Sequence, residues 1–137
     1  MKISKKTQKL LKNLKQVWKN LLCSVKEEND MSELRANVFH VAKYILQKKG
    51  TMTTMKLQKL CYYAQAWSLA WDGVPLFEED FQAWANGPVC PKLFVRHKGK
   101  FEISVSDFAD ITDFDFEKEQ LETIDSVVDF YGDKPPY

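Results

Sequence analysis

The sequence predicts a mainly α, compact helical domain that carries a small two-stranded antiparallel β-ribbon and follows an amphipathic N-terminal helix. Apolar residues recur every three or four positions over four segments of the 137-residue chain, which is the helical period. Alternation of apolar and polar residues, which is typical of strands, is confined to two short segments. Apolar residues make up 45% and aromatic residues 13%, enough for a packed core. We expect one domain, residues 31–137, behind a basic extension, residues 1–30.

The extension is predicted to be a basic amphipathic helix. It contains eight lysines and three acidic residues, and its leucines and Trp18 fall on the side opposite the lysines. Three interpretations remain open. The helix docks on the domain or self-associates, it binds a membrane surface, or translation starts at Met31 and the segment is absent.

Two helices are expected next. The first begins with Ser32 as its N-cap and ends at Gly50. The second contains "KLQKLCYYAQAWSLAW", residues 56–71, with the preceding threonines as caps and Asp72-Gly73 as its end. This second helix is apolar around most of its circumference, as a helix surrounded by neighbours would be.

The two alternating segments are expected to supply the ribbon. "DFQAWA", residues 80–85, is followed by the turn residues Asn-Gly-Pro, and "KFEISVSD" is residues 100–107. A short helix beginning at Pro91 separates them. We expect the two strands to pair with each other and to lie on the helices, because an isolated two-stranded ribbon is only marginally stable.

The last predicted helix lies in the most acidic part of the chain. Asp113 or Asp115 is expected to cap its start, and Gly132 is expected to end it. Residues 107–137 carry ten acidic residues against two lysines. Because residues 31–137 have a net charge of −4, the domain lacks a broad basic face for a phosphate backbone, and nucleic acid is an unlikely ligand for it.

Residues 56–71 also suggest a binding surface. A chain of this length buries about two-thirds of its unfolded surface, so some of its many aromatic rings are expected to stay exposed. Exposed Tyr and Trp beside Lys suit protein recognition. The alternative for each residue is a purely structural role. The predicted core face consists of Leu57, Leu60, Ala64, Trp67 and Trp71. The predicted partner-binding residues are Lys56, Gln58, Lys59, Tyr62, Tyr63, Gln65, Trp84, Gly87 and Pro88.

The segment "MKLQKLCYYAQAWSLAWDGVPLFEEDFQAWANGPVCPKLF" closely resembles the Panacea-domain, SocA-like antitoxin family, whose members also carry the description phage-associated protein. The resemblance rests on five blocks in order: Lys-Leu-Gln-Lys-Leu at 56–60, Tyr-Ala-Gln at 63–65, Gly-Val-Pro-Leu-Phe at 73–77, Ala-Trp at 83–84 and Gly-Pro-Val-Cys-Pro at 87–91. It extends more weakly over 32–132. Residues 1–30 lie outside the family pattern, and the family usually continues past Pro136, so a copy shortened at the C-terminus is expected.

The resemblance implies a cytoplasmic antitoxin of a type II toxin–antitoxin system, linked to phage defence, that neutralises a cognate toxin by direct binding. Some members are expected to deliver the toxin to a protease. The alternative is an interaction adaptor, for proteolysis or tethered to a membrane or nucleic acid through residues 1–30. A hydrolase built around the acidic loop is a third hypothesis.

Residue spacing argues against an enzyme, a metal site or a cofactor. The available ligands (His40, Cys61, Cys90 and His97) lack the close spacing of zinc sites. Cys90 with His97 lacks an orienting third residue. The acidic run has neither calcium-loop spacing nor an accompanying glycine-rich phosphate loop. Three widely spaced cysteines, with no signal peptide or transmembrane segment, favour a reducing, intracellular compartment.

Overall fold

Four α-helices and two short antiparallel ladders make up residues 35–135, the part of the chain that the computed structural model describes. The mainly α prediction is confirmed. The basic helix predicted over residues 1–30 and the predicted cap Ser32 lie outside the described residues. In chain order the elements are α1 (Val38–Lys49), β1 (Met52–Thr53), α2 (Thr54–Asp72), β2 (Gln82–Trp84), β3 (Gly87–Val89), α3 (Pro91–His97), β4 (Glu102–Ile103), a 3₁₀ helix (Val105–Phe108) and α4 (Lys118–Tyr131).

Helix α1 begins later than predicted and ends where predicted. Asn37 caps its start: the Oδ1 of Asn37 accepts from the His40 N–H, and the Nδ1 of His40 accepts from the Asn37 N–H, each at 3.0 Å. This reciprocal pair satisfies two backbone donors at once, so the helix starts at Val38. Gly50, with φ of 93°, ends the helix.

Helix α2 occupies the centre of the fold, in contact with α1, α4 and β3. The Oγ1 of Thr53 accepts from the Lys56 N–H at 3.2 Å, and Gly73 adopts the left-handed conformation, so both predicted ends are confirmed. The predicted core face is also confirmed, because Leu57, Leu60, Ala64 and Trp71 are buried, with Trp67 half-buried against Trp71 at a ring distance of 4.5 Å.

The predicted strand pairing is wrong. Strand β2 pairs with β3, with Trp84 opposite Gly87, and the two form a hairpin. The turn residues after β2 do more than end a strand, because Gly87, with φ of 124°, allows the chain to reverse and gives β2 a local partner. Strand β4 pairs instead with β1, which precedes α2.

Strand β4 is also shorter than the alternating pattern suggested. Only Ile103 enters the core, opposite Met52, and it is 1% exposed. Phe101 is 78% exposed, and Val105 already belongs to the 3₁₀ helix. The single buried position explains why the ladder has two residue pairs rather than four or five.

Helix α4 begins at Lys118 rather than after Asp113 or Asp115. The Asp113 carboxylate is bound by Lys43 at 3.0 Å and is therefore engaged away from the helix start. The chain then runs extended to bury Phe116 and is capped at Glu117, whose N–H donates to the Gln120 Oε1 at 2.8 Å. The helix ends at Tyr131, before Gly132, as predicted. Its buried face, which packs on α1 and α2, includes Ile124, Val127 and Val128.

Candidate partner-binding surface

Gln58 is a buried connection between α2 and the start of α3. Gln58 is only 3% exposed, and its Oε1 accepts from the Cys90 N–H at 2.8 Å. The Nε2 of Gln58 therefore faces the Cys90 carbonyl at 3.3 Å and the His97 Nε2 at 2.9 Å. Since the amide nitrogen only donates, the His97 Nε2 is the acceptor and the ring carries its proton on Nδ1. Burial lowers the pKa of His97, which keeps this neutral form.

Gln65 makes the equivalent connection to the loop after α2. Its Oε1 accepts from the N–H groups of Leu76 and Phe77, at 2.7 and 3.3 Å, and its Nε2 donates to the Phe77 carbonyl at 2.7 Å. The Oγ of Ser68 donates to the Val74 carbonyl at 2.7 Å. Gln58 and Gln65 are seven residues apart, two helical turns, so both lie on one side of α2 and each holds one loop.

These contacts show that two of the predicted partner-binding residues, Gln58 and Gln65, have a structural role within the fold. Both glutamines use their amide groups inside the molecule, and Gln58 has almost no surface to offer. These bonds explain why sequence blocks that are distant along the chain occur in the same pattern. Gln58 bonds the backbone of the turn at Cys90, and Gln65 bonds the backbone of the turn at Leu76 and Phe77. Sequence reasoning missed this because a polar residue on a helix ordinarily faces water. The one available signal was their common face with Ser68.

The β2–β3 hairpin presents Trp84 on the surface. Trp84 is 40% exposed, its Nε1 donates to the Gln82 Oε1 at 2.9 Å, and the edge of its ring contacts Phe94 at 5.0 Å. Gly87 and Pro88 form the returning strand and are half-buried. A Cβ on Gly87 would lie 3.2 Å from the Cε of Lys59, so the absence of a side chain lets the hairpin rest on Lys59.

The remaining predicted residues lie beside the hairpin on α2. Tyr62 is exposed and contacts both Tyr63 and Phe81, at ring distances of 5.7 and 5.4 Å. Tyr63 stacks on Tyr131 of α4 at 4.1 Å with an interplanar angle of 15°. Lys56, Lys59 and Tyr63, three of the predicted partner-binding residues, line one cleft of about 330 Å³. The other lining residues of this cleft are Leu60, Tyr131, Lys134 and Pro135.

Several other polar groups have structural roles within the fold. The Arg96 guanidinium binds both oxygens of Asp110 at 2.8 Å and holds the pKa of that carboxyl below its usual value. Lys100 binds Asp107, and its hydrogen bond lowers the pKa of that carboxyl too. Burial raises the pKa of the Cys61 and Cys90 thiols, which disfavours the nucleophilic thiolate.

Residues 35–135 contain no group of three or more His, Cys, Asp or Glu side chains that could hold a metal ion. None of the helices in this part of the chain is long and apolar enough to cross a membrane. What these residues do display is partly exposed aromatic rings beside lysines on a helical frame.

The family is identified by a family model, antitoxin SocA-like, Panacea domain, which matches residues 57–136. The match covers more than half of the chain, and the chain belongs to this family of antitoxins. It begins inside α2 and includes the hairpin, both loops held by glutamines, and α4. No curated protein and no solved structure matches the chain.

Proposed function

We propose that this protein is an antitoxin of a type II toxin–antitoxin system and that it neutralises its cognate toxin by direct protein–protein contact. The observation that carries the proposal is membership of the SocA-like antitoxin family across residues 57–136. The structure supports contact as the mode of action, because residues of the family blocks come together on one surface.

That surface, here called the hairpin–cleft surface, consists of Lys56, Lys59, Tyr62, Tyr63, Trp84, Gly87 and Pro88. Its members are connected through direct neighbours. Trp84 is opposite Gly87 in the hairpin, and Gly87 rests on Lys59. Lys59 and Tyr63 line the same cleft, and the Tyr63 ring contacts the Tyr62 ring. The surface is therefore continuous from the hairpin to the cleft.

The anchors on this surface are held in place before any partner arrives. Trp84 is restrained by its contact with Phe94 and by its bond to Gln82. Rigid, partly exposed aromatic residues lose little conformational entropy on binding and are common at the energetic centre of interfaces. Gln58 and Gln65 support the surface from behind by fixing the loops on either side of the hairpin.

The test is to express the adjacent open reading frame alone and together with this protein. The product is expected to stop growth alone, to be tolerated with this protein, and to co-purify with it. Trp84→Ala is expected to weaken that complex at least tenfold, since truncating a central aromatic anchor costs on the order of 2 kcal/mol. Phe101→Ala removes a more exposed aromatic ring outside the surface and serves as the matched control.

Two results would overturn the proposal. One is an adjacent product that is harmless when expressed alone. The other is a toxic product that this protein leaves active and does not bind. Equal losses from Trp84→Ala and Phe101→Ala would leave the antitoxin function in place but move the contact away from the hairpin–cleft surface.

A further inference from the structure

The cleft between α2 and α4 is lined by hydrogen-bond donors. Lys56 and Lys59 come from α2 and Lys134 follows α4, so three ammonium groups border a space of about 330 Å³. Among residues 35–135, the remaining polar side chains of the lining are the phenols of Tyr63 and Tyr131, and none of these lining residues carries a carboxylate. Such a lining suits a ligand that only accepts hydrogen bonds and carries negative charge.

The ammonium groups of Lys56 and Lys59 are available as donors, and that of Lys134 lies over the Phe130 ring at 4.8 Å from its centroid. Among residues 35–135, Lys56 and Lys59 take part in no ion pair, whereas Lys43, Lys48 and Lys49 are all paired with aspartates. Asp133, the acidic residue next to Lys134, is bound by Lys49 at 2.5 Å. Among the described residues, three lysines of the cleft therefore have one nearby carboxylate, that of Asp133, which also interacts with Lys56 but forms its ion pair with Lys49.

The phenol hydroxyls of the cleft are also available as donors. The hydroxyl of Tyr44 donates to Asp125 at 2.7 Å, but the hydroxyls of Tyr63 and Tyr131 have no hydrogen-bond partner in residues 35–135. Their rings are held by stacking on each other at 4.1 Å. The two phenol donors of the cleft are therefore preorganised, which lowers the entropic cost of binding.

Carboxylate suits the cleft better than phosphate. Phosphate sites commonly use free backbone N–H groups at the first turn of a helix. Here the first turn of α2 has none to spare at Thr54 and Lys56, whose N–H groups donate to the Phe101 carbonyl and to the Thr53 Oγ1. The apolar part of the lining, Leu60 and Pro135 with the tyrosine rings, matches the aliphatic stem of a Glu or Asp side chain.

We propose that this cleft binds an acidic peptide segment of the toxin, with its side-chain carboxylates held by Lys56, Lys59 and Lys134 and by the two tyrosine hydroxyls. This inference rests on the proposed antitoxin function and adds the chemistry of the segment that is recognised. It also adds Tyr131 and Lys134 to the binding residues predicted from the sequence. The volume corresponds to a short segment, since it lies near the lower limit for ligand clefts.

The direct test uses an end-capped tetraglutamate peptide as the probe and follows the backbone amide resonances of the full chain by NMR. Shifts are expected at Lys56, Lys59 and Lys134, weakening as salt is raised, and none is expected with tetralysine. The Lys59→Glu/Lys134→Glu variant should lose the response. The Lys98→Glu/Lys118→Glu variant changes the net charge equally on exposed lysines outside the cleft and should keep it.

The test separates the possible outcomes. No shift with tetraglutamate overturns the inference, and so does a response to inorganic phosphate alone, which would mark a phosphate site. In toxin binding, the Lys59→Glu/Lys134→Glu variant is expected to lose at least tenfold in affinity, and acidic-to-Lys substitutions in the toxin should restore it. If the wild-type chain binds the toxin and this variant binds it equally well, the cleft inference fails and the antitoxin function stands. If the wild-type chain binds no toxin, the antitoxin function itself fails.

Discussion

Replacing Gln58 by Met removes the buried connection between α2 and α3 while keeping the side-chain volume. Two groups would lose their partner: the N–H of Cys90 and the Nε2 of His97. The Cys90 carbonyl would keep its bond from the Phe94 N–H at 2.9 Å. A buried polar group left unpaired costs about 1–3 kcal/mol, so we expect the free energy of unfolding to fall by about 2–6 kcal/mol. This is a large part of the ~5–15 kcal/mol typical of a domain.

Urea denaturation measures this loss. With an m-value of about 1–3 kcal/mol/M, the midpoint should fall by roughly 2 M. Gln47→Met is the matched control, because Gln47 is exposed and makes one bond, to Asp113 at 3.2 Å, so its effect should stay within about 0.5 kcal/mol. Hydrogen exchange at the Cys90 amide should also accelerate in the Gln58 variant. A loss below about 1 kcal/mol with Cys90 still protected would refute the role assigned to this glutamine.

Three further predictions concern pH, a glycine and a tryptophan. Burial lowers the pKa of His97 below 6.5, so on acidification the unfolded chain takes up a proton before the folded chain does. The stabilising contribution of neutral His97 is therefore complete above pH 6.5 and is lost as the pH falls below that value. Urea midpoints measured between about pH 7 and 5 should decline less in His97→Gln. Gly87→Ala should weaken toxin binding more than Gly99→Ala, because both glycines have positive φ but only the first would push on Lys59; binding that is equal in the two variants would contradict this. Trp67→Ala should lower the free energy of unfolding by about 3 kcal/mol through loss of packing against the core, measured by thermal denaturation, and an unchanged melting temperature would count against its placement there.

The C-terminal ends and the core faces of the helices could be predicted from the sequence because they depend on neighbouring residues, whereas the starts of α1 and α4 could not. Gly50 and Gly73 allow backbone conformations that other residues avoid, so the positions of both ends follow locally. Strand pairing could not be predicted in the same way. Alternation indicates that a segment is extended, but β4 found its partner about fifty residues earlier, in two residues without any pattern of their own.

The same distinction, between features set by neighbouring residues and features set by distant ones, applies to the candidate surface. The sequence predicts Lys56, Lys59 and Tyr63 among the partner-binding residues, and the structure finds them in one cleft. Tyr131 and Lys134 join them only through the packing of α4 on α2, which no local pattern reveals. Helical periodicity also places Gln58 on one face of α2, but it does not indicate whether that face is exposed to solvent or buried. Its burial depends on an approaching loop that offers a donor and an acceptor at the right spacing.

The two glutamine connections lie on either side of the hairpin in sequence, at Leu76 and Phe77 before it and at Cys90 after it. Residues 80–89 are consequently tethered to the same helix at both boundaries, while Trp84 and its neighbours project between the tethers. Within this segment Trp84 packs on Phe94 and Gly87 rests on Lys59, so these two positions are constrained, whereas exposed Ala85 and Asn86 at the turn are not held by such contacts. Under the proposed function, exchanging the turn between homologues would test whether it determines which toxin is recognised.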